Sequence, residues 1–149
     1  MAHAESSVTI NRPVPDVFKF LLDGANNPRW RPGVLDIQHD AATPAGLGAV
    51  YKQGMKGPGG RIDGDYKITR LQPDQLIEFQ VITGPARPTG TYTLTSAGSG
   101  TKVSFVLDFQ PKGLAKLIDG LIGKTMQSEV GNLSNLKTVL ESGAGAQGA

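Results

Sequence analysis

The end of the sequence carries one long helical pattern, and this pattern limits the possible folds more than any other feature. Between Leu114 and Leu140 the apolar residues recur at gaps of one, three or four positions, which is typical of an amphipathic helix. At about 1.5 Å per residue such a helix would be about 40 Å long, enough to cross a small domain. Because 149 residues most simply form one domain, we expect residues 1–142 to pack around this helix and residues 143–149 to form a flexible tail.

The helical pattern contains the segment GLIGKTMQSEVGN (120–132), which holds three glycines and a Gly-Lys-Thr triplet. The triplet ends a phosphate-binding signature, but the position five residues before the second glycine is isoleucine, and the context is helical. A nucleotide loop is therefore not expected. Gly113, Gly120 and Gly131 share one azimuth opposite the apolar face. There they either let another surface approach the helix backbone closely, or they lie on an exposed face where they lower the stability of the helix and allow it to kink near Gly123.

Strand-like segments with short turns precede the helix. Apolar and polar side chains alternate, and clusters such as KGPGG and QPD separate the segments. One alternation class is apolar and the other polar, so one face of the sheet is buried and the other is wet. The predicted fold is α+β, with a seven-stranded curved antiparallel sheet around the long C-terminal helix. The strands are 7–10, 34–41, 49–55, 61–71, 75–83, 90–96 and 101–109.

Two short helices are predicted between the first strand and the rest of the sheet. Pro15 and Asp16 suit a first helical turn, since the proline loses no amide partner there and the acid is favoured by the helix dipole. Gly24 ends this helix. The segment ANNPRWRPG then forms a second small turn or helix that carries the only tryptophan, Trp30.

Composition excludes several kinds of site. There is no cysteine, hence no disulfide, thiolate nucleophile or cysteine-bound metal. His3 and His39 are the only histidines, so neither a metal nor a cofactor is expected. The formal net charge is +2 and the basic residues are scattered, which argues against nucleic acid as a partner. No apolar run approaches the roughly 20 residues of a membrane span, and no signal core is recognisable, so we expect a cytoplasmic protein.

Polar residues interrupt the apolar face of the long helix. Thr125, Glu129 and Asn132 fall within the apolar arc of the helical wheel. A carboxylate that faces a core is costly unless it is paired or solvated. Glu129 therefore lies at a rim or in a structural salt bridge, or the space beneath the helix is a partly polar cavity.

The order and spacing of these segments resemble the START-related SRPBCC superfamily, in its polyketide cyclase/dehydrase and lipid transport branch. The resemblance extends over about residues 5–142 and is carried by INRPVPDVFKFLLD, NPRWRPGV, GLGAVYKQ, YKITRLQPDQLIEFQ, GTYTLTSAGSGTKVSFVLDFQPKGL and NLSNLKTVLE. It implies a helix-grip fold with an internal cavity for lipids, sterols, polyketides or other apolar molecules. It implies no universal catalytic motif, so no catalytic residue is assigned from it.

The inward alternation phase predicts the residues that line such a cavity. A curved sheet cannot close perfectly round one helix, so the gap near the two short N-terminal helices is the expected place for a pocket. Gln53 is notable because an inward amide needs partners, and a ligand carbonyl or hydroxyl is one possibility. The predicted ligand-binding residues are Tyr51, Gln53, Met55, Tyr66, Phe79, Tyr92 and Phe105 from the strands, with Leu121, Thr125, Met126 and Glu129 from the helix.

His39 and Glu129 are the candidate catalytic residues. His39 has the phase of Ile37, and an imidazole beside a cavity suits general acid–base chemistry. The alternative is an edge histidine, since phases near strand ends slip by one residue. Arg29 and Arg31 lie either at the cavity mouth, where they attract an anionic group, or on a solvated surface, while Trp30 is expected to plug one end of the core.

Three functions follow from these observations. The first is binding of a small hydrophobic molecule, as carrier or sensor. The second is a polyketide cyclase or dehydratase, in which one or two polar side chains of the same cavity handle protons. The third is a homodimeric interaction module that uses the glycine stripe or an open sheet edge. The polar side chains of the second hypothesis are His39, Gln53, Tyr66, Tyr92 and Glu129.

Overall fold

The computed structural model describes residues 2–57, 59–84, 86–109 and 119–142, and their side chains except those of residues 2 and 119–123. The predicted residues 114–118 of the long helix and the predicted tail, 143–149, lie outside this part of the chain. The elements are β1 (Ala2–Ile10), α1 (Val14–Leu22), a 3₁₀ helix (Gly24–Arg29), β2 (Val34–His39), β3 (Val50–Gly57), β4 (Gly60–Asp63), β5 (Tyr66–Gln72), β6 (Leu76–Val81), β7 (Thr89–Ala97), β8 (Gly100–Phe109), α2 (Asp119–Gly131) and α3 (Leu133–Glu141).

The strands form one curved antiparallel sheet in the order β1-β8-β7-β6-β5-β3-β2, with β4 attached to β3. The predicted α+β, helix-grip architecture is therefore confirmed. Strand β1 is longer than the predicted 7–10, because it pairs with β8 from Ala2 opposite Phe109 to Ile10 opposite Thr101. Strands β1 and β2 lie at the two ends of the sheet order.

The segment predicted as one strand, 61–71, forms two strands that separate at Gly64 and Asp65. A side chain at Gly64 would meet Met55, since a Cβ there would lie 2.7 Å from Met55 Cγ. The Asp65 carboxylate accepts the Gln53 backbone N–H at 2.9 Å, and the Asp65 N–H donates to Thr83 Oγ1 at 2.8 Å. The apolar phase continues across this break, so alternation alone did not reveal it.

The C-terminal helical pattern also forms two pieces, with Asn132 between α2 and α3. The Asn132 N–H donates to the Glu129 carbonyl three residues earlier, which tightens the last turn of α2. The interruption thus falls at Asn132 rather than near Gly123, which lies within α2. Among residues 124–141 of this helix pair, the buried apolar side chains are Met126, Val130, Leu133, Leu136 and Leu140.

A row of aromatic rings covers the concave face of the sheet, one from each of five strands. Neighbouring ring centroids lie 5.3, 5.1, 5.8 and 4.5 Å apart. Aromatic pairs at such distances contribute about 1 kcal/mol each beyond their buried area. We call this the aromatic row; in order its members are Tyr51 (β3), Tyr66 (β5), Phe79 (β6), Tyr92 (β7) and Phe105 (β8).

The helices close the concave face from both sides. Helix α1 packs on β7 and β8, the 3₁₀ helix packs on β2, and α2 and α3 pack on β1. Arg12 joins the two ends of the chain, because its Nη1 donates to the Leu140 carbonyl at 3.0 Å and its Nη2 to Asp16 Oδ2 at 2.7 Å. Trp30 lies in the core as expected, 1% exposed, with its ring 6.1 Å from that of Tyr92.

Gly90 on β7 provides the space for Phe79, and we predict that it tolerates no side chain. A Cβ on Gly90 would lie 2.1 Å from Phe79 Cζ, so Gly90→Ala should lower the free energy of unfolding by about 2 kcal/mol through overpacking. Urea denaturation measures this change. Gly59→Ala is the control, because its Cβ would meet nothing within 4 Å and its φ is not positive. Equal stability losses in the two variants would contradict this packing.

Candidate functional site

Polar side chains gather on the concave side of the sheet, at the end nearest the 3₁₀ helix. In the described part of the chain, the buried polar residues include Asn27, Arg31 and Gln53, at 4%, 5% and 3% exposure. Buried polar groups are normally hydrogen-bonded, so each needs a partner inside the protein. Together with the residues that bond or charge-pair with them, they form what we call the polar cluster. Its members are Asn27, Arg31, Gln53, Tyr66, Tyr92 and Glu129.

Asn27 links the 3₁₀ helix to two strands. Its Nδ2 donates to Gln53 Oε1 at 3.2 Å and to the Tyr66 hydroxyl oxygen at 3.1 Å. Gln53 Nε2 in turn donates to the Gly64 carbonyl at 3.3 Å. The inward amide of Gln53 therefore has protein partners on both sides, and Gly64, at the break between β4 and β5, supplies one of them.

Arg31 and Glu129 form a buried ion pair between the segment after the 3₁₀ helix and α2. Arg31 Nε and Nη2 both donate to Glu129 Oε2, at 3.1 and 3.0 Å, and the two side chains are 6% and 12% exposed. Burial, the largest single influence, lowers the pKa of Arg31, but the charge and hydrogen bond of Glu129 together with the nearby tyrosines outweigh it, and the pKa is raised overall. Arg31 is therefore positively charged at neutral pH.

Two features of the neighbourhood favour this ion pair. The Arg31 guanidinium lies 5.8 Å from the centroid of the Trp30 ring and 6.0 Å from that of Phe105, within cation–π range. Gly33 gives Glu129 its space, since a Cβ at Gly33 would lie 3.1 Å from Glu129 Oε1. Trp30 thus lies beside the Arg31 guanidinium, and Gly33 leaves room for the Glu129 carboxylate.

The tyrosines of the cluster are neutral. Burial raises the pKa of Tyr92 to about 12, although the charge of Arg31 and a hydrogen bond from it act in the opposite direction. Burial also raises the pKa of Tyr66, again opposed by Arg31 and by the Asn27 hydrogen bond. Both hydroxyls therefore keep their protons at neutral pH.

A small cavity of about 10 Å³ lies beneath α1 and the 3₁₀ helix, the place predicted for a pocket. This volume fits about one water molecule, whereas drug-sized ligands occupy pockets of roughly 300–1,000 Å³. In the part of the chain that the structure describes, side chains thus nearly fill the interior. Among the described residues, the lining consists of Leu21, Asn27, Arg31, Tyr66, Ile68, Ile77, Phe79 and Tyr92.

The predicted strand residues mostly face the interior. Tyr66, Phe79 and Tyr92 line the cavity. Others are buried beside it without lining it, namely Tyr51, Gln53 and Phe105. Met55 is half-buried, and from the helix Met126 is buried while the side chain of Leu121 lies outside the described part.

Thr125 was predicted to point into the cavity, and this placement is wrong, because its side chain is exposed. The inward face of α2 is centred on the buried Met126 and Val130. At about 100° per residue, Thr125 lies about 100° from Met126, whereas Glu129 lies about 60° away. Glu129 can therefore reach inward from the flank of the helix, and Thr125 cannot.

His39 lies on the end strand β2, opposite Tyr51 of β3, and its ring centroid is 5.2 Å from that of Tyr51. It thus shares the face of Ile37 as predicted, but it is not among the described residues that line the cavity. Its Nε2 is 3.1 Å from the Pro44 carbonyl oxygen and 3.3 Å from Thr43 Oγ1, in the loop that follows β2. The pairing of β2 with β3 shifts between Val34 and Asp36, so the apolar phase breaks there and Leu35 is 51% exposed. The alternative of an edge histidine is the one observed.

Sequence reasoning missed the roles of Asn27 and Arg31. Arg31 was placed at a cavity mouth or on a solvated surface, yet it is buried and ion-paired. The available signal was Glu129, since a carboxylate within an apolar helical face requires a cation. Arg29, by contrast, is exposed, with its guanidinium 5.1 Å from the Phe20 ring centroid and its Nη1 donating to Asn26 Oδ1.

Comparison with known proteins gives the family and the fold. A family model described as polyketide cyclase / dehydrase and lipid transport matches residues 1–141, which confirms the resemblance found in the sequence. No curated protein matches the chain.

Solved structures resemble this chain along most of its length. The protein TTHA0849 from Thermus thermophilus has a TM-score of 0.76 at 17% identity, covering 91% of this chain and 94% of its own. Zhui aromatase/cyclase from Streptomyces sp. R1128 has a TM-score of 0.72 at 16% identity, covering 95% and 92%. The Aha1 dimer from Colwellia psychrerythraea has a TM-score of 0.62 at 18% identity, covering 95% and 97%. At such identities these likenesses establish the fold alone.

The described residues contain neither a metal-binding cluster nor a membrane-spanning helix. No group of three or more His, Asp or Glu side chains there could hold a metal ion. Within the same residues, no helix is long and apolar enough to cross a membrane.

Removing one partner of the buried ion pair should be costly. Glu129→Ala leaves the Arg31 charge buried and unpaired, and we expect the free energy of unfolding to fall by about 3 kcal/mol. Urea denaturation followed by circular dichroism measures this loss. Asp36→Ala, which breaks the exposed ion pair between Asp36 and Arg61, is the control and should have little effect. If Glu129→Ala is as mild as this control, the pair is not buried in solution.

Proposed function

This chain belongs to the polyketide cyclase/dehydrase and lipid transport family, and from that premise we propose that it binds a small hydrophobic molecule in its interior. The molecule is a lipid, a polyketide or a similar compound. The protein acts as a carrier or sensor in the cytoplasm. Binding takes place between the concave face of the sheet and the helices that cover it.

The observation that carries this proposal is the polar cluster within an otherwise apolar interior. A core that serves stability alone gains little from a buried ion pair, since apolar residues of similar volume often stabilise a protein as well or better. Ligand pockets, by contrast, combine apolar and aromatic walls with a few inward polar groups that orient the ligand. The aromatic row and the polar cluster supply these two parts.

A ligand of ordinary size requires the interior to open. The cavity of about 10 Å³ is far too small, so side chains or helices must move to admit it. The Arg31–Glu129 pair connects the segment after the 3₁₀ helix to α2. An opening between these two parts of the protein would therefore have to break or displace the ion pair. Met126 on α2 is buried in the core, and Met55 on β3 lies beside Gly33 as Glu129 does; methionine side chains repack at low cost. Binding by induced opening follows from this geometry.

The nearly filled interior also favours a second candidate function, a homodimeric interaction module. Such a module needs no cavity, and one similar solved structure is described as a dimer. Gly131, part of the predicted glycine stripe, is exposed with open space where a side chain would be. A self-associating face on α2 is the corresponding hypothesis.

The enzyme hypothesis keeps fewer candidate groups. His39 does not line the cavity, and the Gln53 amide is bonded on both sides within the protein, so the candidates that remain are Tyr66, Tyr92 and Glu129. Glu129 Oε2 is already occupied, because it accepts two hydrogen bonds from Arg31. A reaction at this site would therefore depend mainly on the tyrosine hydroxyls.

Titration with the neutral apolar dye N-phenyl-1-naphthylamine tests the binding proposal. We expect saturable binding to a monomer, with a negative heat-capacity change from burial of apolar surface. Phe79→Leu, inside the aromatic row, should weaken binding about fivefold through lost apolar contact. Leu47→Ala is the control, because Leu47 is 56% exposed and its loss should leave the affinity unchanged.

The same titration, combined with light scattering, separates the candidates. Absence of saturable binding together with a mass that rises with concentration would replace the binding proposal by the interaction module. Binding that depends on Leu47 rather than Phe79 would place the dye on the surface and contradict an internal site.

A further inference from the structure

Two tyrosines line the cavity with Arg31. Tyr66 Oη accepts from Asn27 Nδ2 at 3.1 Å, and the Arg31 guanidinium acts on the Tyr92 hydroxyl, whose pKa it lowers against the effect of burial. Within the described residues, no hydrogen bond uses the hydrogen of either hydroxyl. A phenol has a single hydrogen, so each hydroxyl can donate it to a group inside the cavity that both tyrosines line.

The charges around the cavity also favour an acceptor. Arg31 lines the cavity, whereas its ion-pair partner Glu129 is not among the described lining residues. Because the pKa of both tyrosines is raised, the hydroxyls remain neutral donors rather than phenolates. The cavity therefore presents a cation and two hydroxyl hydrogens to whatever occupies it.

Trp30 extends this surplus of donors. Its ring is packed against Tyr92 and Phe105 and is 1% exposed, and its Nε1–H is buried without an acceptor among the described residues. An unpaired buried donor costs about 1–3 kcal/mol, so an acceptor is missing beside Trp30. This observation is independent of the hydrogen bonds of the tyrosines.

We propose that the cavity is an acceptor subsite, meaning a place that holds a hydrogen-bond acceptor of the ligand. The hydroxyls of Tyr66 and Tyr92, together with Arg31, donate to one oxygen atom of the ligand. The ligand class is an apolar molecule that ends in a carbonyl or an ionised hydroxyl oxygen. The volume of about 10 Å³ suits a single oxygen, so the apolar body lies outside this subsite, against the aromatic row. This inference rests on the proposed function, since it assigns one end of a ligand bound in the interior.

The selectivity follows from the cost of mismatch. A carbonyl oxygen would accept one or both hydroxyl hydrogens, whereas a CH₂ group in its place would leave them unpaired in the protein interior. Sites that donate to a ligand oxygen discriminate strongly against analogues without it, because the buried donors lose their partner. The subsite should therefore decide between ligands of equal shape.

The test compares two probes of the same shape, 2-acetylnaphthalene and 2-isopropenylnaphthalene, in which a CH₂ group replaces the carbonyl oxygen. Their dissociation constants are measured by displacement of the apolar dye, and the ratio of the two constants is compared among variants. In Tyr92→Phe and Tyr66→Phe the preference for the ketone should fall about fivefold, the worth of one hydrogen bond. Taking ratios within each variant cancels the different solubilities of the probes.

Tyr51→Phe is the matched control. Tyr51 belongs to the same aromatic row, but it is not among the described residues that line the cavity. Its ketone preference should equal that of the wild-type protein. The carbonyl stretching frequency of the bound ketone gives a second measurement, and it should fall on binding to wild type and shift back in Tyr92→Phe.

The outcomes separate this inference from the binding proposal. If both probes bind and Tyr92→Phe and Tyr66→Phe leave the ratio and the carbonyl frequency unchanged, the acceptor subsite is wrong and internal binding stands. If neither probe displaces the dye from an internal site, the proposed function fails and the subsite with it. An equal loss in Tyr51→Phe would mean that the hydroxyls act through packing, which also overturns the subsite.

Discussion

The buried ion pair of Arg31 and Glu129 is the interaction around which the interior is arranged. It joins the segment after the 3₁₀ helix to α2, two parts of the chain separated by 98 residues. Two charges removed from water are stable only if they meet with good geometry, so the pair fixes where α2 can lie over the concave face. The Arg31 side chain lines the cavity beside Tyr92, and its guanidinium lies next to the ring of Phe105.

This arrangement explains how the sheet can be both well packed and polar inside. The aromatic row fills most of the concave face, and glycines accommodate its rings. Gly90 lies under Phe79, and Gly24 lies against Tyr51 and Tyr66. The polar cluster closes the remaining end, where the 3₁₀ helix faces β3 and β5. Opening the interior to a ligand therefore means separating the helices from the sheet on one side while most of the row stays in place.

Most of the fold was predictable from the sequence, because it depends on local periodicity. Alternation placed the strands, and the spacing of apolar residues placed the C-terminal helix. The misses have specific causes: the bulge after Val34 shifted the phase of β2, and Asp65 broke a strand whose apolar phase continued through it. Glu129 was recognised as anomalous, but its partner was not, since long-range pairing leaves no local pattern. Nothing in the sequence selects Arg31 over the other basic residues until the fold brings it to α2.

The account is tested most directly by replacing the ion pair with apolar side chains of similar size. The double variant Arg31→Met/Glu129→Leu is compared with wild type in its free energy of unfolding and in its affinity for apolar ketones. If the pair serves a ligand, the variant should be at least as stable as wild type and should bind the ketone more weakly. A variant that is several kcal/mol less stable and binds the ketone as tightly as wild type would show that the pair is structural, and would contradict the account.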